Sequence, residues 1–345
     1  MGQPDRDWIQ DKLSDLTAHI DELESAGGAV DHPQFGAWTA LKLVVLTATV
    51  DVYTTIMASN DFRYHYVDAM SGSGLVGLKG RDEILMGSPI IAGTVAHEPF
   101  ENMYLIENDE TRAAALEDRL DYAADNIDAF RQSPDSYEVL VGDANDLLPQ
   151  VHDRIDEQHD GNLGGDSGER GQHHLAFIDN ERNEVSFSAI RQLESFYGDL
   201  LINYQETSLN RERGLLESGD SDDWDTFIEF FDGDERALHL EEPERFELYL
   251  EKVESIPRPI HESVNVRGSS SYGYNYRIVY AVRQSGGESE FIEFMDGQRR
   301  KVEGLTGDDI DTVLDTMRGS ATHLGLWSVD EDGDDDSQAD LDRFS

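Results

Sequence analysis

Five short β-rich segments, at 64–67, 103–106, 137–141, 175–178 and 199–204, are separated by stretches with helical periodicity. Strands that alternate with helices cannot pair as hairpins, so the pattern predicts a mainly parallel sheet covered on both faces. The intervening helices are legible from spacing. Segment 111–126 carries Leu116 and Leu120 at i,i+4 after a capping-competent Asn108-Asp109-Glu110, and 186–196 carries Phe187, Ile190 and Leu193 three apart. Near the start, Ile9, Leu13, Leu16, Ile20 and Leu23 fall on one face of a helix over 8–23. A second helix over 38–57 is more evenly apolar and is expected deeper in the core. Segments 274–282 and 290–295 flank Ser285-Gly286-Gly287 and read as a closing antiparallel hairpin. The domain plan is therefore a helical extension over 1–60 packed on the core and an α/β domain over 61–327. A Gly- and acid-rich surface insertion is expected near 156–171, and a disordered acidic tail over 328–345.

Charge sets the solvent problem. The 345 residues carry 73 acidic and 27 basic side chains, a formal charge of −46, and only five lysines: Lys12, Lys42, Lys79, Lys252 and Lys301. Excess carboxylate with scarce lysine resembles the cytosolic proteins of halophiles, in which molar salt screens self-repulsion over about 3 Å. Such a surface disfavours nucleic acid as a partner at ordinary ionic strength. No basic region followed by an apolar core opens the chain, and no uninterrupted apolar run exceeds the five residues of 278–282, so a cytoplasmic protein without a membrane span is expected. With no cysteine, disulfides and thiolate metal sites are excluded. His97-Glu98 and His261-Glu262 lack a second histidine at zinc-binding spacing, so no metal is expected.

The segment YHYVDAMSGSGLVG, 64–77, carries the chemistry. Its strand ends at Asp68 and runs into Gly72-Ser73-Gly74, the composition needed where backbone turns sharply and approaches a ligand ahead of a helix N-terminus. Gly72, Gly74 and Gly77 spell the dinucleotide pattern G-x-G-x-x-G, but no acidic residue ends a second strand about 20 residues on. A phosphate-binding Walker loop fails because Leu78 stands where lysine is required. The third reading is the nucleotide loop of an S-adenosylmethionine-dependent methyltransferase. There Asp68 accepts hydrogen bonds from the loop and favours the methionyl ammonium, while Gly72 and Gly74 let backbone pass beneath the ligand. A plain turn that binds nothing is the structural alternative. Glu107 in YLIEND is placed for the ribose hydroxyls, Asp143 in VLVGDAND for the adenine amine, and Asp179 in LAFIDN for the transferred methyl group. Ligands of open parallel sheets bind at the carboxyl ends of strands, where all four carboxylates are expected.

These residues, with MGSPIIA at 86–92 and DLLINYQETSLNR at 199–211, resemble the three-Cys-motif partner proteins. The resemblance spans roughly 8–295. It implies a class I methyltransferase-like Rossmann fold and a separate partner protein carrying a three-cysteine motif. One segment departs from the family. Where the family has Asp-Pro-Tyr-Gly, this chain has Asp179-Asn180-Glu181-Arg182. In amino-methyltransferases a Pro-Pro-aromatic sequence there grips a base amine, and this segment supplies no such grip. Asp179 is then the expected acceptor or base, with Asn180 orienting the substrate. Two readings follow: a methyltransferase of unknown acceptor working with the partner, or a non-catalytic module of the same fold that docks the partner.

The charge analysis makes a prediction. Thermal stability should rise steeply as KCl increases from dilute buffer to multimolar concentration, because screening removes self-repulsion. A melting temperature independent of KCl would overturn the halophilic reading.

Overall fold

The computed structural model describes residues 5–318 apart from 29, 31–33, 61, 159–171, 181–182, 194–196, 222, 257, 269–273 and 283–287. Its centre is a seven-stranded sheet. In chain order the strands of the fold are β1 (Gln34–Phe35), β2 (Arg63–Asp68), β3 (Leu75–Leu78), β4 (Ile84–Met86), β5 (Met103–Glu107), β6 (Tyr137–Val141), β7 (Gln172–Ile178), β8 (Tyr197–Tyr204), β9 (Ile260–Arg267) and β10 (Asn275–Val282). The sheet order is β6-β5-β2-β7-β8-β10-β9, parallel from β6 through β8, with β10 antiparallel to both β8 and β9. This is the class I methyltransferase-like Rossmann arrangement. The order reverses at β2, whose neighbours are β5 and β7, and the carboxyl ends of strands at such a switch point are where ligands of open α/β sheets bind.

Helices α1 (Arg6–Leu16), α2 (Ile20–Ala26), α3 (Trp38–Ser59), α4 (Ser88–Val95) and α5 (Glu110–Asn126) precede α6 (Ala144–Gln158) and α7 (Phe187–Arg191). After β8 come α8 (Glu206–Ser218), α9 (Trp224–Glu229) and α10 (Glu242–Ser255), and after β10 come α11 (Glu288–Val302) and α12 (Gly307–Met317). Two apolar cores lie on either side of the sheet. One holds α1 to α5, α11 and α12; the other holds α6 to α10. Alternate residues of the strands divide between them. On β8, Leu201 faces the first core, while Leu200, Ile202 and Tyr204 face the second.

The structure corrects several local expectations. The helix over 8–23 is two helices broken at His19, whose φ of 58° is left-handed. Ile9, Leu13, Leu16 and Leu23 nevertheless all reach the core, so the apolar stripe holds across the break. The closing hairpin is β9 with β10, not 274–282 with 290–295. Residues 290–295 belong to α11, where Met295 and Val302 are buried and Ile292 packs beside them, a helical spacing that a six-residue reading mistakes for alternation. The glycine loop after β2 leads into β3 and β4, which form a small sheet with β1, and only then into α4. The helix expected over 186–196 is the shorter α7, and residues 194–196 lie outside the described chain. So do most of the expected insertion, 159–171, and the whole acidic tail; α6 runs on to Gln158.

Helix α3 is the one helix among the described residues long and apolar enough to cross a membrane. Fourteen of its 22 residues are buried inside this fold, on every side of the helix. An evenly apolar helix of this kind is stabilised by packing, since it has no polar face to present to water. Its Leu46 is fully buried. Leu46→Ala should therefore cost about 2–5 kcal/mol, as for other large-to-small changes in cores, measured by denaturant titration at high salt. A cost near zero would place α3 outside the core.

Candidate functional site

The carboxyl end of β2 is held by backbone before any side chain acts. Ala69 N donates to Phe177 O at 3.1 Å and Ser71 N to Ile106 O at 2.8 Å, pinning the loop between the ends of β7 and β5. Gly72 and Gly74 then take φ of 62° and 81°, values that disfavour any side chain. Above Gly72 nothing approaches within 4 Å of where a Cβ would stand, so that stretch of backbone borders open space. Gly74 is closed in from the other side. Gly87 N donates to Gly74 O at 2.7 Å, and a Cβ on Gly87 would lie 2.8 Å from the Gly74 carbonyl carbon. The Gly87-Ser88-Pro89 segment is thus the clamp on the loop.

Asp68 sits beneath this loop with no exposure. Tyr66 Oη donates to Oδ2 at 3.2 Å and Met70 N to Oδ1 at 3.2 Å, and the Ser88 hydroxyl also bonds the carboxyl. Burial raises the pKa of Asp68 to about 7, against the pull of the Ser88, Met70 and Tyr66 hydrogen bonds; the nearby charge of Asp179 adds to the rise. Asp68 therefore ties the loop, through the Met70 amide, to Ser88 at the start of α4. Arg119, fully buried on α5, donates through Nη1 to Ser73 O and through Nε to Leu23 O at 3.0 Å. It ties the loop to α2 in the N-terminal extension.

The other strand ends carry the remaining carboxylates. Glu107 ends β5 two residues beyond Leu105, the register partner of Asp68, and is 6% exposed. Its Oε1 accepts Asp109 N at 2.9 Å, which leaves Oε2 without a hydrogen bond among the described residues. Asp143 is exposed after β6. Its Oδ1 accepts both Asn145 N and Asn145 Nδ2, at 2.8 and 2.9 Å. Asn145 in turn accepts Ser186 N through Oδ1 and donates to Glu184 O, each at 2.8 Å, joining the loops after β6 and β7.

Asp179 follows β7 and is held from two directions. Lys42 Nζ of α3 lies 2.5 Å from Oδ2, and Asn203 Nδ2 of β8 donates to Oδ1 at 2.7 Å. Both partners are buried. Asn180 is fully buried; its Nδ2 donates to Val185 O at 3.0 Å and its Oδ1 accepts Val185 N at 3.2 Å, so its amide closes its own loop. Residues 181 and 182 of the departing segment lie outside the described chain.

The structure thus brings Asp68 and Asp179 together with Tyr66, Ser88, Lys42 and Asn203, and lines Glu107 and Asp143 along the same sheet edge. Sequence reading missed Lys42, Asn203, Ser88, Tyr66 and Arg119. Lys42 had a signal: one of five lysines, set in the most apolar helix of the chain, needs an acidic partner. Arg119 had none, since it stands in an ordinary charged helix. Among the described residues no group of three or more His, Asp or Glu side chains is placed to hold a metal ion.

No protein-family model matches the sequence, and no curated protein matches it. Among solved structures, the chain is similar to protein LPL1258 from Legionella pneumophila, of the DUF519 family, at 13% identity over 75% of this chain and 91% of that one, with a TM-score of 0.44. It is similar to Trm1 from Pyrococcus horikoshii in complex with S-adenosyl-L-methionine, at 10% identity over 71% of this chain and 57% of that one, with a TM-score of 0.31. A further likeness is to EvdMO1, at 12% identity over 81% and 48%, with a TM-score of 0.34. The chain spans only about half the length of the last two. Strand order, and not these distant likenesses, assigns the fold.

The buried Asp68 sets a pH dependence. Its folded pKa of about 7 lies well above the ordinary aspartate value of about 3.9. The folded state therefore binds a proton that the unfolded chain releases, and this contribution is full below about pH 4 and lost as pH rises through about 7, by up to about 4 kcal/mol. Asp68→Asn lacks it. The variant should gain stability relative to wild type between about pH 4 and pH 8, read as the difference between their denaturation midpoints. A difference that is constant with pH would show that Asp68 is not held this way.

Proposed function

We propose that this chain is an S-adenosylmethionine-dependent methyltransferase of unknown acceptor that works with a three-cysteine-motif partner protein. The observation that carries the reading is the open space over Gly72, at the topological switch point, with Glu107 ending β5 and Asp143 following β6 at the same end of the sheet. Methylated sulfonium chemistry is what S-adenosylmethionine supplies when bound: an electrophilic methyl group. The chain's own residues fit such a ligand. Gly72 leaves room for the methionyl end against backbone, Glu107 keeps Oε2 for the ribose hydroxyls, and Asp143 keeps Oδ2 for the adenine amine.

Asp179 would face the acceptor. Lys42 and Asn203 fix its two oxygens, so its orientation is set before any substrate arrives. A carboxylate so held accepts a hydrogen bond from the incoming nucleophile and lines it up for transfer, and proximity is then the main source of rate. The buried Tyr66 and Ser88 act one step back, through Asp68 and the loop it braces.

The second reading, a non-catalytic module that docks the partner, draws on Asn180. Its amide is consumed by Val185, and the Lys42 ion pair satisfies much of Asp179. Calorimetric titration with S-adenosylmethionine in multimolar KCl separates the two. The methyltransferase reading expects saturable binding, weakened by about 1.5–3 kcal/mol in Glu107→Ala, the loss typical of hydrogen bonds to a charged group. Absence of binding in the wild-type chain would favour the docking module, and equal affinity in the variant would remove Glu107 from the site.

A further inference from the structure

A cavity of about 360 Å³ lies at the β9–β10 edge of the sheet, beside the carboxyl end of β8, lined by Glu206, Asn265, Arg267, Asn275 and Arg277 with Val266 and Tyr276. Strand register explains the composition. Asn265 pairs with Arg277 and Arg267 with Asn275 across β9 and β10, so the four polar side chains project from one face while Val266 and Tyr276 turn to the other. Two cations and two amides side by side are unusual in a chain of charge −46. Their bonding is uneven. Arg277 is bound to Glu206 and stacks over Phe246 at 4.1 Å, which makes it one half of a neutral pair. Arg267, Asn265 and Asn275 have no side-chain hydrogen bond or ion pair among the described residues, although most arginines described here hold a carboxylate.

From this juxtaposition we propose that the cavity binds an oxyanion, the phosphate or carboxylate group of a small molecule, with Arg267 as its anchor. The guanidinium presents a planar fork of donors that matches a phosphate or carboxylate in two parallel bonds. The amides of Asn265 and Asn275 flank it with further donors. The neutral Glu206–Arg277 pair closes the wall without repelling an anion, and the buried Tyr276, whose Oη donates to Trp38 O at 2.7 Å, fixes β10 behind it. In molar salt long-range attraction is lost, so recognition rests on this short-range geometry and not on net charge. None of its lining residues belongs to the Gly72 loop or to the carboxylates assigned to it, so the proposal stands whether or not the chain binds S-adenosylmethionine.

The test uses the full chain in multimolar KCl, titrated calorimetrically with pyrophosphate and, separately, with malonate. Two variants are compared: Arg267→Gln, and Arg131→Gln, which removes another exposed arginine that has no ion pair among the described residues. Saturable binding of either probe, weakened about ten- to hundredfold in Arg267→Gln and unchanged in Arg131→Gln, is the expected result. Preference for pyrophosphate identifies a phosphate-bearing ligand, and preference for malonate a carboxylate. Binding of neither probe, or an equal loss in both variants, would overturn the proposal. Arg267 is exposed, so its variant should keep the wild-type melting temperature.

Discussion

Burial of the Asp68 carboxyl beneath the first loop is the interaction on which the rest of the site depends. It gathers a strand hydroxyl from Tyr66, a loop amide from Met70 and a helix hydroxyl from Ser88 around one side chain. Each of these belongs to a different element. A buried carboxyl left without such partners costs several kcal/mol, so the loop and α4 are held where they satisfy it. The same geometry explains why Gly87 precedes Ser88: only a residue without a side chain lets α4 start against Gly74.

The N-terminal helices complete this edge of the sheet. Lys42 of α3 reaches Asp179 after β7, and the carbonyl of Leu23 in α2 receives Arg119, whose other bond goes to Ser73 in the glycine loop. Both contacts join residues far apart in sequence at buried positions. Removing the carboxylate or carbonyl that faces a buried cation is strongly destabilising, which fixes the mutual placement of extension and sheet. Further out, Arg81 beside β3 pairs with Glu83 and with Asp311 and Asp315 of α12, closing the small sheet against the C-terminal helices. Positive charge is scarce, and the chain concentrates it at such junctions.

Much of the architecture was legible in the sequence. The five parallel strands were set by short β-rich runs between helical ones, and the positions of Asp68, Glu107, Asp143 and Asp179 at strand ends follow from where those runs stop. The glycines of the loop announced a tight backbone. What failed was local and had local causes. The run at 290–295 is short enough to satisfy a strand pattern, and only its continuation to Val302 makes it helical. The break at His19 leaves the apolar stripe intact, so periodicity carried no trace of it. The excursion through β3 and β4 was hidden because a single motif reading expects a helix directly after the glycines.

The sequence by itself determined the fold class, the acidic surface and the set of carboxylates at the strand ends, because all three depend on periodicity and composition along the chain. Tertiary structure alone decided which partners those carboxylates have. Asp68 is held by the loop it braces, Asp179 is oriented by Lys42 and Asn203, and the Asn180 amide bonds Val185, whereas Glu107 and Asp143 each keep an oxygen without a partner among the described residues. It also decided that Arg267, Asn265 and Asn275 share one face of a cavity. The physical reason is that hydrogen-bond saturation is a property of neighbours in space, and those neighbours come from segments up to 137 residues apart in the Lys42–Asp179 pair.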